Sequence, residues 1–133
     1  MTTNPSKELL DCQQPKAVIL PVGEMNFPYE WVPEIMPTQI FEIGDIIIVG
    51  LPAEFTTMSG RRIRDDIQKL YEKRGRKVHI ILSGLSNTYS NYVTTFEEYQ
   101  LQRYEAGSTL FGPYTLDVRN FSNWCLHNFF FIN

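Results

Sequence analysis

Glu54, Tyr89 and Tyr92 are the residues whose types and places invite chemistry. Glu54 follows the apolar run Asp45 to Leu51 and precedes an amphipathic stretch, while Tyr89 and Tyr92 follow a second apolar run, Val78 to Leu82. In an α/β sheet, ligands bind beyond the carboxyl ends of the strands. If the two runs are neighbouring parallel strands, the carboxylate and the phenols meet at one rim, where they could hold a metal or orient a substrate. The alternative is structural: Glu54 lies just ahead of a helix, and the helix macrodipole favours an acid at that end. Residue types and spacing leave both readings open.

The elements that must position these residues can be read from pattern. Gln39 to Ile43 and Asp45 to Gly50 are β-rich runs flanking Gly44-Asp45, a dipeptide suited to a tight hairpin turn. Ile46-Ile47-Ile48-Val49 is continuously apolar, which predicts cover on both faces. Ile63, Ile67, Leu70 and Tyr71 fall at i, i+4, i+7 and i+8. They predict a helix from about Thr56 to Arg74, with Arg61, Arg62, Asp65 and Asp66 on its wet side and Gly75 as its stop. The basic run Lys73 to Lys77 reads as a solvated helix end, where cations are favoured.

Val78 to Leu82 predicts another buried strand, so strand, helix and strand in this order point to an α/β layer with a right-handed crossover. Thr95 and Glu98 have capping-box spacing and predict a second helix, opening at Thr94 or Thr95 and running to about Ala106. Ala17 to Leu20, ended by Pro21, reads as a short buried strand. Gly23, Pro28, Pro33 and Pro37 predict an irregular connection over residues 22–38, with Tyr29 and Trp31 pinning it to a core. Residues 1–16 read as polar and mobile.

Composition narrows the function classes. A chain of 133 residues, 43% hydrophobic and 20% charged, suits a globular fold rather than disorder. A formal net charge of −3 gives no reason to expect nucleic acid or an acidic membrane surface as partner. The longest strongly apolar run, Ile46 to Leu51, is too short to cross a bilayer. The N-terminus lacks an apolar segment behind a basic start, so no secretory signal is read there; the location stays open, and is cytoplasmic if the chain is expressed as it stands. Cys12 and Cys125 are far apart without metal-type spacing and read as buried or free thiols rather than a disulfide. No phosphate loop, HExxH helix or G-x-S-x-G elbow is present.

Three blocks go further. Leu51 to Asp65, LPAEFTTMSGRRIRD, resembles the PGEFTTMxGRRLR motif of neutral ceramidases. Asn87 to Pro113, NTYSNYVTTFEEYQLQRYEAGSTLFGP, resembles that family's NTYxxYVTTxEEYxxQRYEGxSTLxGP block. Leu10 to Met25, LDCQQPKAVILPVGEM, resembles its lead-in to the region. Order and approximate spacing are retained over about Leu10 to Leu116. The resemblance implies zinc-dependent hydrolysis of the ceramide amide to sphingosine and a fatty acid, with zinc held by two histidines, a glutamate and a tyrosine. By motif, Glu54 matches the glutamate ligand, Tyr92 the tyrosine ligand, and Tyr104 a tyrosine that stabilises the tetrahedral oxyanion. Zinc acidifies water or polarises a carbonyl, and a phenol aimed at the developing charge lowers the barrier. Tyr89 reads as packing or support, Arg61 and Arg62 as ties from the helix to its neighbours, and Glu98 and Tyr99 as support for the second helix.

The family's histidine ligands and catalytic serine lie on motifs upstream of the matching region, and His79 and His127 match no ligand motif. The expectation is therefore an α/β fold, a partial mixed sheet with helices packed on it, forming an incomplete fragment of a larger catalytic domain. Its parts are a flexible segment 1–16, a partial catalytic domain 17–116 and a divergent tail 117–133. One carboxylate and one phenol are not expected to bind zinc tightly or to hydrolyse ceramide unaided. Activity with a complementing chain, or association with a full-length ceramidase, is the alternative. Ala53 stands where the family has glycine, and if that position needs positive φ, alanine costs about 1 kcal/mol or more. From Asp117 the sequence departs from the family, as an alternative end would, and Phe129-Phe130-Phe131 is unusual for a surface.

Overall fold

A computed structural model describes residues 4–33 and 35–117. Its central feature is a hairpin: β1 (Gln39–Ile43) pairs antiparallel with β2 (Ile46–Gly50), Ile43 opposite Ile46, across the two-residue turn Gly44-Asp45. After a two-residue strand β3 (Glu54–Phe55), α2 (Thr57–Glu72) returns the chain to β4 (His79–Ser83), which pairs in parallel with β2. The sheet order is β1-β2-β4, so the sheet is mixed and β2 is its middle strand. Next come β5 (Tyr92–Val93), α3 (Phe96–Tyr99) and α4 (Tyr104–Gly107); the chain begins with α1 (Lys7–Gln13).

The predicted apolar stripe of α2 is the one it buries. Ile63, Ile67 and Tyr71 pack on Ile47 and Val49, with Leu51 and Val78 at the margin. Removing each such side chain from water contributes about 1.5–3 kcal/mol, so this face is the main source of apolar stabilisation. Thr56 opens the helix, its hydroxyl accepting the Ser59 N–H. Gly75, at φ +72°, closes it in a Schellman arrangement: Arg76 N–H donates to Tyr71 O at 3.0 Å and Gly75 N–H to Glu72 O at 2.9 Å. The basic run is more than a solvated end. The Arg76 guanidinium pairs with Glu42 of β1 and donates to Gly44 O at 2.9 Å, while the Tyr71 phenol donates to Glu42 at 3.0 Å.

Several expectations are corrected. The Ile46–Val49 run is covered on one face only: Ile47 and Val49 are fully buried, whereas Ile46 is 42% exposed. β4, expected to be buried, is an edge strand with alternating exposure, and His79 lies on its exposed side. Among the described residues a helix layer covers only one side of the sheet, so side chains alternating to the other side stay open. Ala17 to Leu20 forms no strand, because no described strand offers it a partner, and Ile19 is 72% exposed. Tyr29 and Trp31 do not pin their loop to a core. Both are exposed, and the Trp31 indole donates to Phe27 O at 3.1 Å, closing the loop on itself.

The predicted helix from Thr94 to Ala106 is two four-residue helices, α3 and α4, separated by residues 100–103, of which Arg103 is extended. The break lets Tyr99 turn inward, fully buried, while Tyr104 stays on the surface. Composition predicted no element in residues 1–16, yet α1 forms there. Its Gln13 side chain donates to Leu110 O at 2.9 Å, and its Gln13 carbonyl accepts the Tyr99 phenol at 2.8 Å. Cys12 is free and exposed; Cys125, His127 and the tail from 118 lie outside the described residues. No helix among the described residues is long and apolar enough to cross a membrane.

Candidate functional site

The parallel pairing of β2 with β4 continues beyond their ends. The Leu51 N–H donates to Ser83 O, the Ser90 N–H to Pro52 O and the Glu54 N–H to Asn91 O. β3 and β5 then pair in parallel, with Glu54 directly opposite Tyr92. The convergence expected of neighbouring parallel strands is therefore present. Glu54 is not the helix cap of the alternative reading, since Thr56 fills that position.

The loop between β4 and β5 delivers a third group. Leu85, Asn87 and Asn91 adopt left-handed backbone at φ 56°, 66° and 63°. Asparagine tolerates this region; leucine does so at a cost of about 1–2 kcal/mol. Anchors on the opposite segment hold the loop: Leu85 N–H to Ala53 O at 3.2 Å, Ser86 N–H to Leu51 O at 2.9 Å, and the Asn87 amide to Gln39 at 2.9 Å. The loop brings the Tyr89 phenol to Glu54, to which it donates at 2.7 Å. Tyr89, read from sequence as packing or support, thus touches the carboxylate directly.

Hydrogen bonding to Glu54 first, and burial second, push the Tyr89 phenol up to about 12, and the same causes push Tyr92 up to about 12. The Tyr92 ring meets the Tyr104 ring edge-on, with centroids 5.6 Å apart and planes at 80°. Tyr104 is 76% exposed. The structure thus brings Glu54, Tyr89, Tyr92 and Tyr104 to one open rim, beside a groove bordered by Gly60 and Arg64 of α2 and by Leu85. Ala53 is buried and is not among the residues with positive φ, so it carries no backbone penalty for lacking a glycine's freedom.

Behind the rim, Arg62 ties α2 to α3 through an ion pair with Glu97 at 2.9 Å, as expected, whereas Arg61 rests on Met58 of its own helix. Glu98 completes the capping box with Thr95 and also accepts the Thr56 hydroxyl at 2.7 Å. The capping box is legible in sequence, but the bond to Thr56, 42 residues away, has no local signal.

A carboxylate and exposed phenols can orient a polar substrate and donate hydrogen bonds to an oxyanion. As metal donors they are incomplete. Among the described residues no group of three or more His, Cys, Asp or Glu side chains could hold an ion, while a catalytic zinc takes three protein ligands plus an open position. Glu54 and Tyr92 alone do not fit a zinc ion.

A family model described as neutral/alkaline non-lysosomal ceramidase, N-terminal, matches residues 1–120. The chain is 50% identical over 115 residues to neutral ceramidase 3 of Arabidopsis thaliana, covering 85% of this chain and 16% of that protein. It is 48% identical over 118 residues to neutral ceramidase of Oryza sativa subsp. japonica, covering 86% and 15%. The fold superposes on the crystal structure of neutral ceramidase from Pseudomonas aeruginosa with a TM-score of 0.77 and 45% identity, covering 87% of this chain and 18% of that one. It superposes on a ceramidase complexed with C2 with a TM-score of 0.78. The chain thus spans about one sixth of the length of the curated relatives it matches.

Proposed function

Because this chain belongs to the neutral/alkaline non-lysosomal ceramidase family, we propose that it carries the glutamate and tyrosine side of a ceramidase-type centre and that its 133 residues do not hydrolyse ceramide by themselves. The observation that supports this is the meeting of Glu54, Tyr89 and Tyr92 at one rim, with Tyr104 against Tyr92. In this reading residues 17–116 are part of a catalytic domain, Glu54 and Tyr92 are zinc ligands of a complete centre, and Tyr104 faces the oxyanion. The chain supplies two oxygen donors and no matching imidazole, fewer than a catalytic zinc takes.

Metal analysis of the purified chain, together with an assay for sphingosine release from ceramide, tests the proposal. The expected result is zinc well below one per chain and no turnover. Stoichiometric zinc with turnover abolished by Glu54→Ala overturns it. A second reading, association with a full-length ceramidase, draws on the open side of the sheet, where Ile43 and Ile81 are 63% and 49% exposed. Co-purification of the two chains would support it.

A further inference from the structure

The ladder that sets Glu54 opposite Tyr92 is short. β3 and β5 have two residues each, and although backbone bonds link this pair back to β2 and β4, so short a two-stranded ladder needs support from its surroundings. Its hydrogen bonds include Glu54 N–H to Asn91 O at 2.9 Å and Thr56 N–H to Val93 O at 3.2 Å. Immediately beyond it, each strand runs into a helix start: Thr56 caps α2 and Thr95 caps α3. One carboxylate oxygen joins the two starts. Glu98 Oε2 accepts the Thr95 N–H at 2.9 Å and the Thr56 hydroxyl at 2.7 Å. Thr56 in turn holds Ser59, whose N–H lies 3.2 Å from its hydroxyl. Thr95 and Ser59 are buried and Glu98 is half-buried, so the junction lies beneath the surface.

Glu97, the neighbouring acid, offers a comparison. Its ion pair with Arg62 spans the same two helices, but the two side chains are 65% and 45% exposed. Exposed pairs of this kind contribute little.

We infer that Glu98 is a positioning residue: by capping α3 and gripping the cap of α2 with the same oxygen, it fixes the two helix starts together and so holds Glu54 in register with Tyr92. The identity of Glu54 and Tyr92 as the site rests on the function proposed above, whereas the junction is tested without metal or substrate.

The test is native-state hydrogen exchange on the full chain, comparing the Glu54 and Thr56 amides with amides of the β1-β2-β4 sheet. Glu98→Ala is expected to speed exchange at Glu54 and Thr56 by about tenfold, the scale of losing a helix cap, with smaller changes in the sheet. Glu98→Gln, which keeps an acceptor oxygen at the same reach, should restore most of the protection. Glu97→Ala should leave these amides unchanged. Should Glu98→Ala not fold, Glu98→Asp carries the test: it is one methylene too short to serve both caps and should loosen the same two amides. Equal acceleration at every amide, unchanged exchange at Glu54 and Thr56, or the same effect from Glu97→Ala would each overturn the inference. Metal content and turnover do not enter this readout, so failure of the zinc reading leaves its outcome standing.

Discussion

At Glu54 one carboxylate receives a phenol carried 35 residues along the chain, and the Tyr92 phenol shares its surroundings. A negative charge opposes ionisation of a phenol bonded to it, which is why both tyrosines stand near 12 rather than at their ordinary 10.0. Being raised in the folded state, they contribute stability that is whole below about pH 10 and is lost as pH rises through about 12. Glu54→Gln removes the charge. Its tyrosinate absorbance should therefore develop at lower pH than in the parent protein, with both phenols moving toward 10.0. A titration superimposable on the parent's would show that the carboxylate is not the cause. The meeting of Glu54 with the loop that carries Tyr89 and Tyr92 was legible in outline from the strand order. The Tyr89 bond was not, because it depends on a left-handed turn at Leu85, a residue type that gives no sign of that conformation.

Among the elements, α2 was readable from end to end because sixteen residues give the 3.6-residue period room to show. The hairpin was readable from its turn dipeptide. The pieces that build the site are two to four residues long, too short for any period, and long-range bonds rather than propensity hold them. The same holds where the end of α2 meets β1. Hydrogen bonding to Arg76, against the opposing effect of burial, holds the Glu42 carboxyl below its ordinary range. A depressed carboxyl stabilises the fold above its unfolded pKa and ceases to do so as pH falls through its folded pKa. Glu42→Gln is therefore expected to melt below the parent near neutral pH and to converge on it as pH falls from neutral to below the ordinary 4.5. Melting curves that stay parallel across that interval would show that this carboxylate does not drive the acid limb.

Across the whole molecule, α1 is stitched to α3 and to the segment that follows α4 by several bonds, and the backbone contact at Gly112 is the tightest approach among them. Gly112, at φ +85°, faces Cys12 so closely that an added Cβ would lie 2.1 Å from its carbonyl oxygen. Backbone cannot yield as a flexible side chain does, so Gly112→Ala should lower the unfolding free energy by more than about 2 kcal/mol, read as a shifted denaturant midpoint. A change within a few tenths would mean that α1 does not dock there. The polar start of the chain concealed this contact, since nothing in residues 1–16 announces that Gln13 is buried.

The bonds that seat α1 join Gln13 to residues 86 and 97 positions further on, and Cys12 to one 99 positions on. Contacts so distant in sequence repay their loop-closure entropy only late, so the seven residues of α1 are expected to dock after the elements to which they bridge have formed.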